Sequence, residues 1–173
     1  VDGSLNQKWA DVFSEIGDEA FSASIGQVQK GKLLSGEEVA IKVQYPFIKE
    51  KLHEQLKLLN LIPTGIPEKK WGVDIAQYKT MIKNLLDDET DYTLESKLQT
   101  ETYKAFEGYN YIKVPKLYES LSAEKILVTE FINGFNINEI EFVSDLDRVK
   151  LAENLLRTFI TMIIEEYFQA DSN

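Results

Sequence analysis

The sequence predicts an α+β fold, and three patterns carry that prediction. Small and β-branched residues fill 21–28, 38–44 and 125–132, with glycine and serine turns between them. Apolar residues then recur at three- and four-residue spacing over 47–62, 73–106 and 147–168, the period of amphipathic helices. Finally, 43% hydrophobic and 28% charged residues is an ordinary globular balance. That balance argues against disorder, collagen-like repeats and a membrane bundle.

Taken in order, residues 4–16 place Leu5, Trp9, Val12, Phe13 and Ile16 at helical spacing, predicting a short amphipathic helix stopped by Gly17. Phe21 to Val28 and Glu38 to Gln44 read as two or three antiparallel strands, with Gly31, Ser35 and Gly36 supplying turns. Pro46 closes the last strand, because proline cannot donate to a ladder. Phe47, Ile48, Leu52, Leu56 and Leu59 predict a helix over 47–62, ended by Pro63 and Gly65, and 63–72 reads as a loop. One long helix is predicted from Val73 to about Phe106, with Ile75, Tyr78, Ile82, Leu85 and Leu86 on one side. Residues 112–120 and 125–132 read as two further strands. Asp147 to Phe168 reads as a helix with Leu151, Leu155, Phe159 and Ile163 in one row. Trp9 and Trp71 are expected as packing anchors and His53 on the surface. There is no internal repeat and no low-complexity tract.

Charge and rare residues narrow the function. Asp and Glu number 29 against 19 Lys and Arg, a net charge of −10. A broad basic face for nucleic acid is therefore not expected, since neutralising phosphates dominates that affinity. With no cysteine and one histidine, His53, thiolate catalysis, cysteine or histidine metal sites and a serine-type triad lack their parts. The longest apolar stretch, Phe159 to Ile164, is interrupted by Thr161 and falls short of the ~18–20 residues of a membrane span. The first residues show no basic-then-apolar targeting pattern. The chain begins without Met and stops in mid-pattern at Asp171-Ser172-Asn173, which reads as an excised or truncated region.

Two local patterns carry chemistry. Val39-Ala40-Ile41-Lys42 ends a β-branched run in a lysine. A cation on a rigid strand suits phosphate binding, because phosphoryl transfer is mostly positioning and charge neutralisation. The same four residues also fit a solubilising lysine on an edge strand. Upstream, Ala23-Ser24-Ile25-Gly26-Gln27-Val28 is a turn of small residues whose backbone N–H groups could approach a phosphate closely. An ordinary hairpin turn is the alternative.

Together these blocks resemble the UbiB family, the aarF-domain atypical kinases linked to ubiquinone biosynthesis. Ala23 to Lys30 is similar to that family's A-S-I-G-Q-V-H, and Val39 to Pro46 to its V-A-V-K-V-Q-x-P. Glu89-Thr90-Asp91-Tyr92 with Glu95 resembles its E-x-D-Y-x-x-E, and Val114 to Leu117 its V-P-x-V. Ile126 to Gly134 resembles the V-L-x-x-E-x-x-x-G hinge, and Phe168 to Asp171 the F-x-A-D that opens the catalytic loop. The six blocks keep the family's order and span essentially all 173 residues.

The resemblance implies a protein-kinase-like small lobe over 1–132, with an inserted helix at 47–62. It implies the hinge and first helix of a large lobe over 133–173, up to the start of the catalytic loop. It also implies roles by position. Lys42 would contact the α- and β-phosphates of ATP or ADP with Mg, and Glu95 would be its ion-pair partner. Ala23, Ser24 and Gly26 would lie over the phosphates. Thr129 would guard the back of the adenine pocket, and the backbones of Glu130 and Ile132 would bond its edge. Glu89 and Asp91 would act near the phosphates, and Asp171 would orient or deprotonate the acceptor. No metal ligand is expected within the chain; the loop Asn and the D-F-G acid would fall past Asn173. Phe21, where the family favours alanine, and Gln29, where it favours His, depart from the pattern, and the K-x-G-Q segment would precede residue 1.

The acids have a plainer alternative as a solvated face with Asp87 and Asp88. Glu89 and Asp91 would stand ~200° apart on a regular helix, so they share a site only if the helix breaks. The resemblance implies an ATPase or phosphotransferase supporting isoprenoid quinone biosynthesis. Alternatives are a pseudokinase scaffold binding nucleotide or lipid without turnover, and a kinase acting on protein or small-molecule hydroxyls. It implies nucleotide as ligand, with quinone-biosynthesis proteins or lipid met through other regions. The place would be cytoplasmic, peripheral at the inner membrane in a bacterium, or mitochondrial in a eukaryote. This chain alone is expected to be inactive and, at net charge −10, not to bind anionic bilayers.

Overall fold

The computed structural model describes residues 8–58, 61, 74–134 and 144–164. Strand propensity and alternation produce a four-stranded antiparallel sheet in the order β1 (Phe13–Ser22), β2 (Gly26–Leu33), β3 (Glu38–Gln44), β4 (Ile126–Glu130). The two-residue period divides it into two faces. Val39 and Ile41 of β3 bury themselves with Phe13, Leu33, Ile126 and Val128 on one side. Ala40, Lys42 and Gln44 point to the other, where Leu127, Ile25, Leu117 and Tyr92 form a second cluster.

Pro46 ends β3, and Phe47 turns the chain with a positive φ of 60° into α1 (Ile48–Leu58). Ile48 and Leu52 of α1 pack on the second cluster. Helix α2 (Ile75–Glu89) begins at Asp74, whose carboxylate accepts from the Gln77 N–H at 2.9 Å. Helix α3 (Tyr92–Phe106) follows, and α4 (Asp145–Ile164) comes after β4. None of the described helices is long and apolar enough to cross a membrane.

The chain divides into two compact units. One comprises 1–96 with 117–130 and holds the sheet, α1, α2 and the first turn of α3. The other comprises 97–116 with 131–173. In the latter, Gln99 donates to the Pro115 carbonyl at 2.6 Å and Tyr111 bonds the Thr161 hydroxyl at 2.8 Å.

Several expectations give way. Among the described residues of the first segment, only Trp9–Asp11 is helical, as a single 3-10 turn, and β1 starts at Phe13. Pairing of Phe13 with Leu33 and burial of the phenyl ring outweigh the local helical period. Trp9 is 46% exposed and so is not a buried core residue; Trp71 lies outside the described residues. The long helix is two helices, because Thr90 and Asp91 satisfy backbone groups with their side chains. Residues 112–120 form no strand: Pro115 has no N–H, only Leu117 bridges Thr129, and Glu119–Leu121 is a 3-10 turn. His53 is half-buried and bonds Asp87 at 2.7 Å. The loop at 63–72 and the helix beyond Ile164 fall outside the described residues.

Candidate functional site

Lys42 stands on β3 opposite Val28 of β2 and Leu127 of β4, flanked by sheet on both sides. Its ammonium donates to both oxygens of Glu95, at 2.8 and 2.7 Å. Glu95 sits in the first turn of α3, where the helix dipole favours a carboxylate. The pair is half-shielded, with side-chain exposures of 26% and 43%. Below the ammonium lies the Tyr92 ring, 4.6 Å to its centre, close enough for a cation–π contribution. Tyr92 is 1% exposed and its hydroxyl is buried with no hydrogen-bond partner among the described residues. Burial foremost, then the charges of Glu95 and Glu89, push its phenol above the ordinary range.

The small-residue turn joins β1 to β2 and is closed by the Ala23 N–H donating to the Gly26 carbonyl at 2.9 Å. Gly26 is required: a Cβ there would overlap the Val43 carbonyl oxygen and lie 2.9 Å from its carbon. The Ser24 hydroxyl donates to Glu89 at 3.0 Å, linking this turn to the end of α2. Phe21 is exposed opposite Val28 at the end of β1, before the turn begins.

Glu89 and Asp91 lie on either side of the helix break. Glu89 ends α2 against Ser24, whereas Asp91 accepts from the N–H and hydroxyl of Thr93 at 2.9 and 2.6 Å. The Thr93 hydroxyl is the main influence holding the Asp91 carboxyl below its ordinary value, opposed in part by burial. The acid is thus turned along its own helix as a cap.

Thr129 pairs with Ala40, so it shares the Lys42 face with Val28 and Leu127. Glu130 ends β4, and Ile132 follows it, exposed. Asp171 lies outside the described residues. Among the described residues no group of three or more His, Asp or Glu could hold a metal ion.

Two residues escaped the sequence reading of roles. Tyr92 was visible only as a letter of the acidic motif, and Gln44 only as a letter of the V-A-V-K-V-Q-x-P block at a strand end, neither with a role. The available signal for Gln44 was an amide side chain at the even-numbered positions of β3 that also carry Lys42.

A family model described as an ABC1 atypical kinase-like domain matches residues 1–173. Over 178 aligned positions the chain is 26% identical to the atypical kinase COQ8B, mitochondrial, of Danio rerio, covering all of this chain and 28% of that protein. It is 28% identical to the probable protein kinase UbiB of Pseudomonas fluorescens, covering 99% of this chain and 33% of that protein. A solved structure, the complex of Rv3197 with erythromycin from Mycobacterium tuberculosis, superposes with a TM-score of 0.71 at 33% identity. That match covers 85% of this chain and 38% of the other. The chain therefore spans about a third of these relatives.

Proposed function

The chain belongs to the ABC1 atypical kinase-like family, and from that premise we propose that it binds ATP or ADP with Mg. We place it in a UbiB-type ATPase or phosphotransferase that supports isoprenoid quinone biosynthesis. The observation that carries the nucleotide reading is the Lys42–Glu95 ion pair on the strand face shared with Thr129. A lysine fixed by a carboxylate presents its charge at a set place, which is what α- and β-phosphates require.

In this reading Lys42 neutralises the α- and β-phosphates while Glu95 keeps the ammonium aimed. The turn at Ala23, Ser24 and Gly26 offers backbone N–H groups to phosphate oxygens. Thr129 borders the base, and the backbones of Glu130 and Ile132 bond its edge. Asp171 aligns the acceptor hydroxyl or water and takes its proton as the terminal phosphoryl group leaves ADP. Glu89 and Asp91 lie near the phosphates. Residues 1–132 form the small lobe and 133–173 begin the large one. Magnesium, bound with the nucleotide, neutralises charge on the phosphate oxygens. In this reading what these residues supply is the grip on nucleotide. Complete family members would act in the bacterial cytoplasm, peripherally at the inner membrane, or in mitochondria.

The test is titration of the chain with a fluorescent ATP analogue and Mg, together with phosphate release. Weak saturable binding is expected, with Lys42→Met weakening it at least about tenfold, as loss of a charged hydrogen bond implies. Phosphate release stays at the buffer background. Equal binding by Lys42→Met overturns the nucleotide site, and Lys42-dependent turnover overturns the division between gripping and metal-holding parts.

A further inference from the structure

Gln44 is 8% exposed at the end of β3, two residues beyond Lys42 on the same face. Its side-chain nitrogen donates to two backbone carbonyls, Thr90 at 2.9 Å and Glu124 at 3.1 Å. A carboxamide nitrogen carries two hydrogens, and both are used. Reversing the amide would set its oxygen against two acceptors, which fixes the orientation.

The partners give this knot its meaning. Thr90 occupies the junction between α2 and α3, where helix-end carbonyls lack partners within the helix. The Glu124 carbonyl, in the turn before β4, also accepts from the Tyr92 N–H at 3.0 Å, the first residue of α3. The backbone N–H of Gln44 donates to the Lys125 carbonyl at 3.1 Å. One glutamine therefore ties the start of α3 and the turn before β4 to the strand that bears Lys42. Glu95 lies three residues after Tyr92, within the turn so anchored.

We infer that Gln44 is a positioning residue that keeps the Lys42–Glu95 pair closed before any nucleotide arrives. The inference rests on the nucleotide reading for its use, not for its geometry. Swinging α3 away would part the buried Thr90 carbonyl from the Gln44 amide and the Tyr92 N–H from the Glu124 carbonyl. One amide hydrogen, one carbonyl and one helix N–H would lose their partners together. Rotation of that helix, a switch available when its start is free, is thereby locked in the closed position. The residue acts through the Thr90 and Glu124 carbonyls and touches no phosphate.

The experiment uses the chain with ¹³C-labelled lysine and no ligand. Lys42, held over the Tyr92 ring, has its ε-protons shifted upfield by the ring current, and Lys42→Met identifies the signal. Gln44→Met keeps the volume and removes both donors. In the folded variant the Lys42 signal is expected to move to the position of solvent-exposed lysines, and affinity for the ATP analogue to fall about tenfold. Gln44→Asn, shorter but still an amide, should give an intermediate shift and supplies the reading if the Met variant does not fold. A Lys42 signal unmoved in folded Gln44→Met or Gln44→Asn overturns the proposal, leaving Gln44 a core residue that only adds stability. A Lys42 signal that moves while the wild-type chain fails to bind the analogue upholds the positioning role and sinks the nucleotide reading instead.

Discussion

Asp91, a letter of the acidic motif, spends its carboxylate on its own helix. Its carboxylate caps α3 through the Thr93 N–H and hydroxyl, and the folded form holds it ionised below its ordinary value of 3.8. A depressed folded value stabilises the protein above the unfolded value and is lost as pH falls through the folded one. Asp91→Ala should therefore cost about 1 kcal/mol at neutral pH, and the gap to wild type should close as pH drops below 3.8. Denaturant melts of both chains across that range check it; a gap independent of pH would mean the charge is idle. The Lys42–Glu95 pair was legible in the sequence through the family resemblance, which the strand and helix patterns around the two residues accommodate. Gln44 and Tyr92 were not, since the contacts that define them are with backbone carbonyls and a buried ring, which leave no mark on spacing.

At the scale of elements, β3, β4, α1 and α4 followed from the residue pattern. The strand read over 21–28 instead straddles the turn between β1 and β2, with Gly31 inside β2 opposite Ile16 and Val39. The other exceptions share a cause. The first segment carried a helical period, yet the ladder with β2 took Phe13 into the core. The long helix had unbroken apolar spacing, yet Thr90 closes α2 by donating to the Leu86 and Asp87 carbonyls. In both places a local pattern was overruled by partners distant in sequence or by side chains that compete for the backbone. The contact between β2 and β3 offers a check on how tightly the turn is held. Gly26→Ala places a methyl against the Val43 carbonyl, backbone that cannot yield. Gly31→Ala meets the Cδ1 of Ile41 at 2.6 Å, the far end of a side chain and not backbone. Alanine gains ~0.5–1 kcal/mol over glycine in chain entropy, against about 1–3 kcal/mol for overpacking. Gly26→Ala should thus destabilise clearly and Gly31→Ala much less. Thermal melts giving the reverse order would show that the β2–β3 approach is looser than described.

For the whole molecule, charge and apolar surface pull in opposite directions. Helix α4 exposes Leu156, Ile160, Ile163 and Ile164, each between 46% and 72% accessible. An apolar row of that length favours association between copies. The net charge of −10 opposes it at pH 7, through repulsion that salt screens within about 10 Å at 0.1 M. Near the isoelectric point of 4.7 the repulsion vanishes while the apolar row is unchanged. Association measured by light scattering should therefore rise with salt at pH 7 and rise further as pH approaches that point. Pairing Leu156→Lys with Ile163→Glu leaves the net charge as it is and breaks the row. Both positions are exposed, so stability should shift by no more than about 0.5 kcal/mol, while association at the isoelectric point drops. If the double variant associates as strongly as the wild type, the α4 row is not the adhesive surface and charge alone governs solubility.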